Sequence, residues 1–263
     1  MRLFVAASIL GALLLPMHAM ADSPFDGTWK ADLSSAKMPT KPDIFVLKDG
    51  MYDCKTCAPA YQIKADGTDQ PVSGHPYIDT VAIKVVDDHS IQETDKKNGK
   101  TVTTSTVTVT PDGKTATFEF TDSSNTNAAP VTGKGTQKLI AKGPEGSHAI
   151  SGSWVTTSMS SLSDNGLTVT YKTDGHTLTM TDQTGQTFTA KMNGTDAPYT
   201  GDPGITTVSV KKMGPRTMME TDMRRGKVVD TLTSTVSKDG NTMHVAYYDA
   251  LHHRTTSYMA KKQ

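Results

Sequence analysis

Apolar side chains alternate with polar ones in short runs along most of the chain. Val81, Ile83 and Val85 recur at every second position, as do Phe118 and Phe120, the period of a strand that turns one face inward. Glycine-containing turns punctuate the runs. Lys97-Asn98-Gly99 separates 90–97 from 100–110, and Asp112-Gly113 precedes 115–121; both pairs favour the left-handed dihedrals of a tight hairpin. The pattern predicts strands near 28–33, 43–48, 51–55, 60–64, 79–86, 90–97, 100–110 and 115–121, with 134–141 as a closing strand. No segment sustains a helical period. About eight sequential strands joined by tight turns predict an up-and-down antiparallel barrel, which leaves no open edge.

The same pattern then returns. Gly67–Gly113 aligns without a gap onto Gly194–Gly240 at a constant offset of 127, with 22 of 47 positions identical. Gly67-Thr-Asp-x-Pro71-x-x-Gly74-x-Pro76 reappears as Gly194-Thr-Asp-x-Pro198-x-x-Gly201-x-Pro203, and Glu93-Thr94-Asp95 as Glu220-Thr221-Asp222. Each copy opens on Gly-x-Trp, at Gly27-Thr28-Trp29 and Gly152-Ser153-Trp154. Each closes on a related phrase, Thr136–Lys142 and Thr255–Lys261, with an extra polar insertion at Ser123–Pro130 in the first. An internal duplication is a statement about architecture. It predicts two tandem barrels, 22–143 and 144–263, divided at the Gly143-Pro144 linker; the structural alternative is one domain in which the repeats intertwine.

Gly-x-Trp on the first strand of such a meander resembles the lipocalin and calycin pattern, in which the Trp packs across the closed end of a barrel. That resemblance implies a basic residue from the last strand over the Trp, for which Lys138 and Arg254 lie in the right region. The longer repeated phrase, with Gly-x-Asp-x-Pro-x-x-Gly-x-Pro followed by the Glu-Thr…Gly-Lys hairpin, is similar to a family of uncharacterised exported bacterial proteins. The likeness covers both halves and implies lipocalin-like barrels without an assigned activity.

Arg2, the apolar stretch Leu3–Pro16 and Ala19-Met20-Ala21 read as a secretory signal peptide, 1–21, cleaved after Ala21. The expected location is periplasmic or secreted, and no later segment has the roughly 20 apolar residues of a transmembrane helix. Without Arg2, 26 basic side chains face 27 acidic ones. That balance argues against a nucleic-acid partner. Few Leu and many Thr and Val suit an all-β protein.

Candidate chemistry is sparse. Cys54 and Cys57 form the only cysteine pair, confined to the first repeat. In an oxidising compartment they most simply form a local disulfide. A thiol redox role would want a helix N-terminus to lower the thiolate pKa, covalent haem would want His where Ala58 stands, and zinc a second ligand pair. Met213, Met218, Met219, Met223, Met243 and Met259, with His244, His252 and His253, suit a soft copper(I) ion in type. Adjacent Met218 and Met219 nevertheless point to opposite faces of a strand, and no metal or other cofactor is assigned. Asp69 and Asp196 are either contacts of a binding loop or parts of a rigid turn, the latter favoured because the whole phrase is repeated. There is no nucleophile elbow, HExxH motif or phosphate loop.

The leading expectation is therefore a non-catalytic exported module that binds a small, partly apolar ligand. Its candidate contacts are Tyr61, Glu93, Phe118 and Phe120 in the first unit and Phe188, Glu220, Val245 and Tyr247 in the second. Competing readings are a barrel-mouth isomerase or hydrolase with Glu93 or Glu220 as base, and a structural or protein-interaction role in the envelope. Either glutamate is expected to face outward and pair across the sheet, since carboxylates are seldom buried unpaired. Enzymes would need one inward, in an open pocket, with a raised pKa.

Overall fold

The computed structural model describes residues 23–124 and 128–263; the leader expected at 1–21 lies outside them. The first half carries ten strands: β1 (Gly27–Lys37), β2 (Asp43–Lys48), β3 (Met51–Cys54), β4 (Tyr61–Lys64), β5 (Gln70–Pro71), β6 (Thr80–Asp87), β7 (Ser90–Lys97), β8 (Lys100–Val109), β9 (Thr115–Asp122) and β10 (Val131–Lys142). The second half repeats the plan with β11 (Gly152–Leu162), β12 (Thr168–Asp174), β13 (Thr177–Asp182), β14 (Thr187–Lys191), β15 (Asn193–Thr200), β16 (Thr207–Gly214), β17 (Thr217–Arg224), β18 (Lys227–Val236), β19 (Thr242–Asp249) and β20 (Arg254–Lys262). One 3-10 turn, Asp164–Gly166, follows β11. Both units exceed the expected eight strands. The strand without a sequence signal in the first unit is the two-residue β5, interrupted by Pro71. The hairpin signals are met: Asn98 and Gly99 have φ of 51° and 74°, and Arg225 and Gly226 have 51° and 75°.

The strands form two ten-stranded antiparallel sheets. One is a closed barrel, β1-β12-β13-β14-β15-β16-β17-β18-β19-β20; the other runs β4-β3-β2-β11-β10-β9-β8-β7-β6-β5 and is nearly closed, with its two ends meeting only at the Asp66–Lys84 bridge. The division between sheets does not follow the division between repeats. Each repeat gives its first strand, the one carrying Gly-x-Trp, to the other repeat's sheet. Trp29 on β1 lies opposite Val169 of β12 and Lys262 of β20. Trp154 on β11 lies opposite Leu139 of β10 and Asp43 of β2. The two expected barrel-like sheets are present, but they exchange their first strands, so each contains one strand from across residue 143.

The cause is local. β10 and β11 are consecutive and pair as a hairpin from Lys142–Gly152 down to Gly133–Leu162, so the supposed linker is a hairpin loop. His148 donates its backbone amide to the Leu47 carbonyl and the Ser151 hydroxyl accepts from the Leu47 amide. The connections that cross between sheets are 38–42 and 163–167. Once β11 has joined the first sheet, β1 remains to close the second on β20.

Each Trp anchors one of two separate cores. Trp29, Leu178, Val208, Val210 and Met218 belong to the closed barrel, and Trp154, Val81, Ile83 and Ile91 to the nearly closed one. Both indoles donate to the carbonyl four residues earlier at 2.8 Å, Trp29 to Phe25 and Trp154 to Ile150. A cation does cover Trp29, but it is Lys262, 5.4 Å from the ring centroid. Arg254 instead reaches Asp43 and the Pro42 carbonyl at the other sheet, because it lies eight residues before Lys262 along β20.

Cleavage within 143–149 should leave the chain in one piece under native conditions. The nicked ends sit in one hairpin loop, while β1 and β11 remain locked in opposite sheets. Native size-exclusion chromatography after limited proteolysis should show a single species that separates only in denaturant; two species without denaturant would contradict the exchanged topology.

The Cys54–Cys57 disulfide is present, with Cα atoms 5.5 Å apart. Cys54 is buried in the core of the nearly closed sheet and Cys57 packs against it. The four-residue loop gives about 2 kcal/mol on the chain-entropy account. Replacing both cysteines by serine should raise hydrogen exchange in β2–β4 and leave β12–β20 unchanged.

Candidate functional site

The repeated Glu-Thr-Asp places two carboxylates on one strand face, because residues i and i+2 point the same way. On β17 the inward set is Met218, Glu220 and Asp222, and on β18 it continues through Asp230 and Ser234. Register fixes this choice. Glu220 lies between Val210 of β16 and Leu232 of β18, and Asp222 between Val208 and Asp230. Since Val208 and Val210 must face the core, a slip of one residue would expose them. The expectation of outward glutamates is thus overturned: Glu220 is 4 % exposed, Asp222 3 % and Asp230 8 %. In the nearly closed sheet Glu93 lies opposite the fully buried Ile83, is half-buried, and accepts from the Tyr61 hydroxyl at 3.2 Å.

The cluster lines a cavity of about 600 Å³ in the closed barrel, whose walls include Tyr171, Tyr199, Tyr247 and Tyr258. Tyr77, Asp122, Val131, Met159 and Leu162 line it from the other sheet. Seven Asp and Glu line it, with no Lys, Arg or His among the described residues. Four of the seven have partners outside the cluster. Asp32 pairs with Lys261 at 2.9 Å; Asp182 accepts from Thr184 and the Gln186 amide; Asp202 accepts from the Tyr77 hydroxyl and the Gly204 amide; Asp122 accepts from the Ser124 amide. By contrast, one oxygen each of Asp222 and Asp230 (Oδ1 in both) is buried without a partner.

Directly opposed like charges destabilise a strand pair unless protonation relieves them. Burial pushes Glu220 up to about 8, with Asp230 adding to it. Burial, then Glu220 and Asp230, push Asp222 up to about 10. Asp230 is raised as well, chiefly by burial. At neutral pH the cluster holds protons that isolated carboxylates would have lost.

The related cluster in the other sheet is milder. Asp95 is pushed up to about 8 by burial and by Glu93, and Glu93 is raised by burial. His75, whose Nε2 is buried without a partner, sits edge-on to Tyr61 with centroids 5.7 Å apart. At the offset of 127, His75 becomes Asp202 and Thr103 becomes Asp230, so the second copy has two carboxylates where the first has a base and a hydroxyl.

Of the candidate contacts, Glu220 and Tyr247 line the closed-barrel cavity. Phe188 and Val245 are in that barrel's apolar core, with Phe188 5.7 Å from the Tyr199 ring. Tyr61, Glu93, Phe118 and Phe120 belong to the other sheet, where Phe118 and Phe120 lie over Gly135 and Gly133, at which a Cβ would collide with each ring. Asp69 pairs with Lys96 at 2.6 Å and Asp196 is exposed on β15; neither reaches a cavity wall. Met218 and Met243 fill the barrel core. Sequence reasoning missed Asp222, Asp230 and the tyrosines 171, 199 and 258. The signal for the first two was available, in the i+2 spacing from Glu220 and in the Thr103-to-Asp230 change.

No family model matches the chain, and no curated protein matches it.

Proposed function

We propose that this chain is an exported, lipocalin-like module that binds a small, partly apolar ligand inside the closed barrel. The observation that carries the proposal is the cavity itself: about 600 Å³, within the usual range for small-molecule sites and, like them, combining apolar walls with a few convergent polar groups. Ten strands give a wider interior than the eight that hold one small ligand.

The neutral apolar fluorophore N-phenyl-1-naphthylamine should bind the mature protein one-to-one. Leu232→Trp, which fills the wall between Glu220 and Tyr247, should weaken that binding while leaving the far-UV circular dichroism native. Ile205→Trp, on another part of the wall, should do the same. Absence of enhancement, or enhancement indifferent to both fillings, would overturn the proposal.

The enzyme reading draws support from Glu220, which is inward and has a raised pKa as a barrel-mouth catalyst would require. Its raised pKa, however, suits a general acid rather than the base that reading invokes. Binding is the reading supported best.

A further inference from the structure

We infer that the closed-barrel cavity takes a small organic cation, a protonated amine on an apolar body, with its ammonium group on the Glu220–Asp222–Asp230 carboxylates. This inference rests on the binding reading above and specifies its ligand. Three independent features point to it.

The first is charge. Seven acidic residues and no basic one line the wall, so nothing in the described protein neutralises the cluster from inside. The second is unmet hydrogen-bonding capacity. Buried polar atoms are almost always paired, yet Asp222 Oδ1 and Asp230 Oδ1 have no partner, in side chains more than nine-tenths buried. An ammonium group brings up to three donors and one positive charge, which suits these converging oxygens once a carboxyl has given up its proton. The third is the remainder of the wall. Tyr171, Tyr199 and Tyr258 supply aromatic surface around the acidic floor, suited to an apolar body and to cation–π contact.

A bare metal ion fits less well, because no group of three His, Cys, Asp or Glu among the described residues is arranged to hold one. The milder cluster in the other sheet is also a poorer match. Glu93 already accepts from Tyr61, and His75, edge-on to that Tyr61 ring, stands where the closed barrel has Asp202.

Charge balance gives a further consequence. The raised carboxyls hold protons near neutral pH, so an arriving cation must displace at least one of them to form a close ion pair. The groups facing the cluster are Tyr171 of β12, Asp182 of β13, Tyr199 of β15, Asp202 after β15, Tyr247 and Asp249 of β19, Tyr258 of β20, and Tyr77 and Asp122 from the other sheet. Burial raises the facing tyrosines, and so they stay neutral near pH 7. Proton release therefore belongs to the carboxylates.

Titration calorimetry on the mature chain tests this with three probes of similar shape: phenethylamine, 2-phenylethanol and 3-phenylpropanoate. Phenethylamine should bind at least about ten-fold more tightly than the alcohol, the scale of one charge-assisted hydrogen bond, and the carboxylate least. Its affinity should rise from pH 6 to pH 8, and in buffers of different ionisation enthalpy the heat should report proton release. Asp222→Asn with Asp230→Asn should erase the preference for the amine while retaining the alcohol. If the alcohol binds the wild type as tightly as the amine, the cation inference falls and the cavity reading survives. If calcium displaces the amine and binds the cluster itself, the site is a metal site and the inference falls. If none of the three probes nor the neutral naphthylamine binds, the cavity reading falls and takes the inference with it.

Discussion

Trp29→Ala should destabilise the barrel made of the second repeat, although Trp29 belongs to the first. Trp29 is 0 % exposed and packed in the core with Leu178, Val208 and Met218. Removing a buried indole leaves a cavity and typically costs about 3–5 kcal/mol. Its neighbours on both sides are β12 and β20, so the loss also loosens the strand that closes the barrel. Hydrogen exchange should rise first in β12–β20, while β6–β10 keep their protection. The chain has only two tryptophans, and the remaining Trp154 then reports the other sheet by fluorescence; its transition should move little. Trp154→Ala should give the mirror result, with β2–β10 loosened and Trp29 reporting an intact barrel. Loss of protection in β2–β10 on mutating Trp29 would mean that each repeat keeps its own first strand.

Much of this fold is legible in the sequence, and the exchange of strands is not. Alternation at Val81-Ile83 and the Asn98-Gly99 turn depend on local chemistry, which a sequence states directly. The destination of a strand does not. Gly27-Thr28-Trp29 and Gly152-Ser153-Trp154 are near copies, and either would satisfy either core, down to the same indole-to-carbonyl bond four residues back. The choice falls to connection geometry: a short hairpin loop holds β11 on β10 at little entropic cost, and the Lys142–Ser147 stretch looks the same in sequence whether it links domains or turns a hairpin.

The site was half legible for a related reason. Glu93 and Glu220 stand out by recurring mid-strand, but their direction depends on register against β6 and β16. Carboxylates alternating with Thr give no apolar pattern of their own to reveal an inward face. Arithmetic on the repeat identifies Asp230, since Thr103 holds its place in the first copy. Tyr171, Tyr199 and Tyr258 come from strands outside the best-conserved span or from changed positions within it, and only closure of the barrel brings them over the cluster.

The protein should lose stability as pH rises from about 5.5 to 8.5, the reverse of the usual carboxylate behaviour. Glu220 and Asp222 are shifted upward to about 8 and about 10, and Asp230 is raised too; in the other sheet Asp95 is shifted to about 8 and Glu93 is raised, which adds to the same slope. In the unfolded chain these groups lose their protons near pH 4. Between that pH and the folded values the native state binds more protons than the unfolded state, so stability falls with increasing pH. One retained proton corresponds to about 1.4 kcal/mol per pH unit, a few kcal/mol over the window, shared across the cluster because its members titrate together. The surface carboxylates act elsewhere. Asp32, held down to about 2 chiefly by Lys261 and Ser34, and Asp66, Asp79 and Asp87, lowered by hydrogen bonds, contribute stability above the unfolded pKa that disappears only in acid. Across 5.5–8.5 they are ionised in both states and add no slope. No cation offsets the cluster, since the groups facing it are the tyrosines of β12, β15, β19 and β20, Tyr77, and Asp122, Asp182, Asp202 and Asp249; Arg254 is committed to Asp43. Urea midpoints of the protein should therefore decline steadily through the window. Asp222→Asn keeps the size and a donor to Asp230 while removing the group that titrates, so its midpoint should exceed that of the wild type at pH 8.5 and vary less with pH. A wild-type midpoint that stays level or rises toward pH 8.5 would show that the three carboxylates are ionised in the native barrel, and the protonated cluster would have to be abandoned.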